Sequence, residues 1–225
     1  MRGAVYVDGF NLYHAIDDLK KPYLKWLNLW RLSELIARGH AQTITKVVYG
    51  TAYFPGDHGK KVRHTFYVEA LKLVDVEVKL GHVIKEPMKC PDKNCAYRWD
   101  ANREKETDIN IALSLFDDAY QDIFDVAFLV TADTDQVATL KFMKMRFPTK
   151  KVIVVWPPDR QPSKHLLDWT DGKVSLTEDH LDQCVLPDIV FKDDHKSIVR
   201  PYEYDPPEGW VHPDKRPKRS IPRPP

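Results

Sequence analysis

The run from Phe124 to Val130 is almost wholly apolar, and it stops on Thr131-Ala132-Asp133-Thr134-Asp135. A strand of that composition has to be covered on both faces. Residues 3–7 and Val152 to Trp156 read in the same way, as buried strands, and helical patterns lie between them. A short helix is predicted from Asn11 to Ile16. A second is capped by Asn28, buries Leu29, Leu32, Leu35 and Ile36, and stops at Gly39. Thr43 to Phe54 reads as a strand, Lys60 to Val74 as a helix, and Val76 to Ile84 as a strand interrupted by Gly81. Beyond these, the pattern predicts a helix from Thr107 to Tyr120 and another ending before Pro148. Short helices at 163–169 and 177–184 flank a strand at 173–176. Strands alternating with helices specify an α/β fold, with a mainly parallel sheet and helices on both faces.

The 225 residues suffice for one substantial α/β domain or two small ones. Lysine and arginine number 34 against 33 acids, so whole-chain charge neither favours nor disfavours a nucleic-acid partner. No apolar run approaches the roughly 20 residues of a membrane span. The N-terminus turns acidic at Asp8, too early for a signal peptide, and reads as the first strand of a cytoplasmic protein. The three cysteines do not suggest a disulfide framework. Cys90 and Cys95 supply two of the four ligands a zinc site needs; His82 or a second subunit could complete it, and otherwise they sit in a plain loop.

The helix at 107–120 carries Ile109, Ala112, Leu113 and Phe116 as a predicted buried stripe, with Asp108 in its first turn. In parallel sheets ligands bind beyond the carboxyl ends of the strands. Asp8 ends the first strand, Asp133 and Asp135 follow strand 124–130, and Asp108 opens a helix on the same edge. Each acid alone has a plain explanation as a turn, a dipole partner or a cap. Together they form a carboxylate cluster, and oxygen donors of that kind suit Mg2+ or Mn2+, as one ion or two.

Lys85 to Arg103 reads as a long loop in which basic residues alternate with Tyr97 and Trp99. That mixture suits a nucleic-acid strand, the alternative being a solvated loop whose aromatics cover the core. The predicted domain covers 1–190, and 191–225 reads as a proline-rich, partly basic tail. Eight of the 17 prolines lie beyond Arg200, so the tail is expected to be extended or disordered, or laid on the domain by Tyr202, Tyr204 and Trp210. It could also dock a partner protein.

Three motifs carry a resemblance: Val7-Asp8-Gly9-Phe10-Asn11-Leu12-Tyr13, then Glu104-Lys105-Glu106-Thr107-Asp108-Ile109-Asn110-Ile111-Ala112, then Phe124 to Asp135. In this order they resemble the NYN domain family, especially its LabA-like branch, within the PIN-like nuclease superfamily. The cysteine-bearing loop is similar to that branch too. The resemblance implies a Rossmann-like sheet and an Mg2+- or Mn2+-dependent endoribonuclease for single-stranded RNA, leaving a 5′-phosphate and a 3′-hydroxyl. Carried over, Asp8, Asp108, Asp133 and Asp135 form the catalytic metal-binding set. Asn11 supports Asp8 or a water of the metal, and Thr131 stands where the family often has serine. Glu106 stands where the family often has glycine and adds an acid beside the site. Lys105 contacts phosphate, and Arg98, Arg103, Lys60, Lys61 and Arg63 guide the strand. A catalytically silent RNA-binding or regulatory scaffold on the same fold is the competing reading. A phosphomonoesterase with Asp8 as nucleophile is weaker, because its usual second aspartate falls at Phe10. A homodimer is compatible with the sequence.

Overall fold

The computed structural model describes residues 1–192 and 196–217. The elements run β1 (Arg2–Asp8), α1 (Gly9–Asp18), α2 (Leu29–Ile36), β2 (Thr43–Thr51), α3 (His58–Leu73), β3 (Glu77–Leu80), β4 (His82–Lys89) and β5 (Arg98–Lys105). They continue α4 (Thr107–Tyr120), β6 (Val126–Val130), α5 (Val137–Arg146), β7 (Lys151–Trp156), α6 (Lys164–Leu167), β8 (Gly172–Ser175), α7 (Glu178–Asp182), β9 (Ile189–Lys192) and β10 (Lys196–Val199). Six strands form one sheet in the order β3-β2-β1-β6-β7-β8. Every pairing in it is parallel. The chain leaves β1 in one direction through β2 and β3, then crosses back over α4 to place β6 on the other side of β1. The mainly parallel sheet expected from the alternation, and the Rossmann-like arrangement that the resemblance implies, are therefore present, and the switch point lies between β1 and β6.

Period-two alternation divides β1 and β6 between two cores. Val5, Val7, Val126, Phe128 and Val130 face a layer that includes Leu12, Leu32, Ile36, Val68 and Leu71 of the first three helices. Ala4, Tyr6, Ala127 and Leu129 face Ile111, Leu115, Leu140, Met143 and Leu166. Asn28 caps α2 as its position suggested, its side-chain oxygen accepting from Arg31 N at 3.0 Å.

Three expectations need correction. The stretch 85–103 is not a loop: β4 and β5 pair antiparallel from His82↔Lys105 to Lys89↔Arg98, leaving only the Cys90–Cys95 region as a tip. Its residues are mostly exposed and none is buried, so no buried face marked them as strands. Tyr97 and Trp99 stack on each other at 5.6 Å instead of covering the core. The α4 stripe is rotated: Ile109 and Leu113 are 61% and 58% exposed, whereas Ile111, Leu115 and Ala119 are buried. Apolar residues occur on both faces of this helix. The buried face is the one carrying Asp118, which accepts from Tyr6 Oη and Lys46 Nζ, each at 2.8 Å.

The C-terminal segment, as far as Pro217, lies on the domain instead of trailing from it. Tyr204 is buried, Trp210 packs edge-on against Tyr23 at 5.5 Å, and Arg216 pairs with Asp182 at 2.6 Å. Tyr202 is exposed and does not anchor it. The basic end from Lys218 onward lies outside the described residues.

Candidate metal centre

The carboxyl ends of β1 and β6 lie side by side, with Val7 opposite Val130. The next residue on each strand is polar and buried: Asp8, 5% exposed, and Thr131, 0%. Asp8 is also the cap of α1, one oxygen accepting from Asn11 N at 3.0 Å. Its other oxygen accepts from Thr131 Oγ1 at 3.0 Å. The same hydroxyl oxygen accepts from Asp133 N at 3.0 Å, and Asn11 Oδ1 accepts from Ala132 N at 3.1 Å. Thr131 and Asn11 thus tie the first motif to the third. The Asn11 side chain binds backbone; only its N–H supports Asp8.

Asp108, Asp133 and Asp135 present carboxylate oxygens that all lie within 4.8 Å of one another. Asp108 reaches this place from the first turn of α4, where the helix dipole favours an anion. Asp133 caps the 3-10 turn Thr134–Gln136 by accepting from Asp135 N at 3.0 Å, which aims both acids to one side. Asp8 is outside this triad, its oxygens held by Asn11 N and Thr131 Oγ1, and the Asp108 and Asp133 charges act on it.

The sequence reading missed Gln136. It is buried and donates from Nε2 to Asp108 Oδ1 at 3.2 Å, while its Oε1 accepts from Thr139 Oγ1 at 2.8 Å. A polar residue one position past the third motif was the available signal. Glu104 was also passed over. It accepts from Thr107 N at 2.7 Å and so fixes the start of α4.

The remaining predicted residues are more scattered. Glu106 does not join the acids: its carboxylate pairs with His82 Nδ1 at 3.1 Å. Lys105 ends β5 and is exposed. Arg103 pairs with Glu86 at 2.8 Å, and Arg98 is exposed where β5 begins, beside the hairpin tip. Lys60 and Lys61 lie in the first turns of α3, and Arg63 pairs with Glu203 at 2.7 Å. Cys90 and Cys95 are free thiols, and no third histidine, cysteine or acid joins them among the described residues.

Burial pushes the Asp8 carboxyl up to about 6; the Asn11 and Thr131 hydrogen bonds work against this, and the Asp108 and Asp133 charges add to it. Burial also raises Asp108, helped by Asp133, Glu104 and Asp135 and opposed by Gln136. Mutual repulsion of this kind is what a bound cation relieves. The donors are all carboxylate oxygens, partly exposed, with no thiol or imidazole among them. That set fits a hard divalent ion such as Mg2+ or Mn2+.

The sequence matches the family described as NYN domain over residues 2–177. A Pseudomonas putida protein named 6-hydroxy-3-succinoylpyridine 3-monooxygenase HspA is 24% identical over 226 residues, covering 84% of this chain and 72% of that protein. A crystal structure of a Vibrio parahaemolyticus protein of unknown function superposes with a TM-score of 0.49 at 22% identity. It covers 79% of this chain and 94% of that one.

Proposed function

From its match over residues 2–177, the chain belongs to the NYN domain family, and we propose that it is a metal-dependent endoribonuclease acting on single-stranded RNA. NYN domains are generally ribonuclease-like hydrolases. The observation that carries the proposal is the Asp108, Asp133 and Asp135 triad at the switch point of a parallel sheet. Those three residues would hold Mg2+ or Mn2+, which supplies Lewis acidity and charge neutralisation for phosphodiester hydrolysis. Asp8 holds Thr131, and through it the backbone of Asp133, in register. Burial raises the Asp8 carboxyl, and both its oxygens are already engaged, by Asn11 N and Thr131 Oγ1, so its part is to support the triad. Gln136 fixes the rotamer of Asp108. Lys105 and Arg98 on β5, and Lys60 and Lys61 on α3, offer cations to RNA phosphates, with Arg103 secondary because Glu86 already occupies it. The cysteine-tipped hairpin before α4 supports placement in the LabA-like branch. No described helix is long and apolar enough to cross a membrane, and a cytoplasmic location is part of this reading.

The test is cleavage of an end-labelled mixed-sequence single-stranded RNA with Mn2+, Mg2+ or chelator, comparing wild type with Asp133→Asn. Metal-dependent cleavage that disappears in the variant is the expected result. Equal cleavage by both removes the triad from the mechanism. RNA retardation on a gel without cleavage by wild type assigns the protein to the silent-scaffold reading. The printed name of the Pseudomonas relative raises another reading, oxygenation of a small heteroaromatic acid. The feature that favours it is an aromatic-walled cavity beside Asp8.

A further inference from the structure

The carboxyl edge of the sheet does not end at Asp8. Gly9 and Phe10, which follow it, help to line a cavity of about 340 Å³ over the ends of β1 and β2. That volume falls in the range of small-molecule sites, roughly 300–1,000 Å³. The walls are largely rings. Phe10 of α1 and Phe54, just beyond β2, meet edge to face at 5.3 Å. Tyr49 and Tyr67 do the same at 5.9 Å. The C-terminal segment contributes Tyr204.

The lining surface is mainly apolar, with polar side chains set into it. His64 Nε2 and Thr51 Oγ1 lie 3.1 Å apart in the lining. Burial pushes His64 down to about 4, so at neutral pH it is an uncharged imidazole with one donor and one acceptor nitrogen. Lys60 and Lys61, both exposed, and Lys25, which pairs with Asp17, supply positive charge at the same cavity, and among the described residues Asp57 is the only lining carboxylate. Apolar faces match a flat ring, a neutral hydrogen-bonding pair matches ring heteroatoms, and the lysines match an attached anion.

We propose that this cavity binds one planar heteroaromatic ring bearing an anionic group, and that the ring is a nucleobase of the RNA strand lying over the acidic edge. The identification as a nucleobase rests on the ribonuclease reading; the ring recognition does not. A base can enter such a cavity only when it is out of a helical stack, so the cavity selects single-stranded RNA by shape.

The experiment separates ring binding from turnover. The full chain is titrated calorimetrically in chelator with the four nucleoside 5′-monophosphates, with ribose 5-phosphate and with pyridine-3-carboxylate. At least one nucleotide is expected to bind, and ribose 5-phosphate, which lacks the ring, to bind at least tenfold more weakly. Phe54→Ala is expected to weaken the nucleotide by roughly 5- to 150-fold, the range of one lost base–aromatic stack. Phe10→Leu and Phe54→Leu keep apolar volume and remove a ring, so they carry the test if the alanine variant loses its native circular dichroism. Binding of pyridine-3-carboxylate without any nucleotide overturns the nucleobase assignment and gives the cavity to a free heteroaromatic acid. No binding by any ring compound, or equal binding by ribose 5-phosphate, overturns the proposal. Failure of wild type to cleave RNA would refute the nuclease reading and leave this titration interpretable.

Discussion

Replacing Asp8 by asparagine should stabilise the metal-free protein at pH 8 and lose that advantage near pH 4. Asp8 ionises at about 6 in the fold, against an ordinary 3.8. The folded state therefore holds the proton more tightly than the unfolded chain. The stability linked to that proton is fully present below the unfolded value and is lost as pH rises through about 6. At 1.36 kcal/mol per pH unit, the wild type forfeits about 3 kcal/mol across this window. Asparagine has no charge to bury and forfeits nothing. Its amide can still accept from Asn11 N, but Thr131 Oγ1 loses the carboxylate to which it now donates. That change costs about 1–2 kcal/mol. The net gain at pH 8 is therefore about 1–2 kcal/mol, or roughly 2–8 °C in Tm for a chain of this size. The assay is thermal melting by circular dichroism at half-unit steps from pH 4 to 8, in chelator, for both proteins. Most other titrating groups are common to both, so the difference between the curves reports Asp8 together with its coupling to Asp108 and Asp133. A variant less stable than wild type at pH 8, or a gap that does not change with pH, would refute the reasoning. Adding Mn2+ at pH 8 should narrow the gap, because the cation relieves in wild type the repulsion that asparagine removes.

The other predictions concern the parts around this acid. Gln136→Leu removes the donor to Asp108, so Mn2+ affinity should fall about tenfold or more, read by metal titration with the fold intact by circular dichroism. Gly81→Ala should destabilise by about 1–3 kcal/mol in urea unfolding. A Cβ there would collide with the Lys105 carbonyl oxygen and stand 2.8 Å from Thr107 Oγ1, and the first of these is backbone that cannot swing away. Trp210→Ala removes the hydrogen bond to Asp182 Oδ1 at 2.7 Å and the edge contact with Tyr23. It should cost about 2 kcal/mol while leaving Mn2+ affinity unchanged, since the indole lies away from the acids.

The sheet was legible because its central strands are buried on both faces. Phe124 to Val130 cannot satisfy that composition in any other setting, and the helices between strands then force parallel pairing. The convergence of Asp8, Asp108, Asp133 and Asp135 on one edge followed from topology alone, since strand ends and the following helix starts share that edge. Finer placement did not follow. Whether α4 buries Ile109 and Leu113 or Ile111 and Leu115 depends on Asp118, whose partners Tyr6 and Lys46 lie far away in sequence. The β4–β5 hairpin has no buried face, so its only signature is a backbone ladder, which side chains do not announce. The C-terminal segment is proline-rich, and its docking rests on a few long-range contacts such as Trp210 with Asp182.

Glu106 shows the same limit at a single residue. Read as a side chain, it is an extra acid beside a metal centre. In the fold its backbone is left-handed, with φ at +77°, where the chain turns from β5 into α4. Such a conformation costs a non-glycine residue about 1–2 kcal/mol, and an exposed contact with His82 returns little of it. The position thus demands a backbone geometry, which explains why a glycine suits it and why the glutamate contributes no ligand. The conformation reverses the chain immediately before Thr107, so that Asp108 enters the first turn of α4 facing Asp133 instead of continuing along the hairpin. The acid that matters is set in place by its neighbour's φ angle, and the neighbour's own carboxylate is left to the surface.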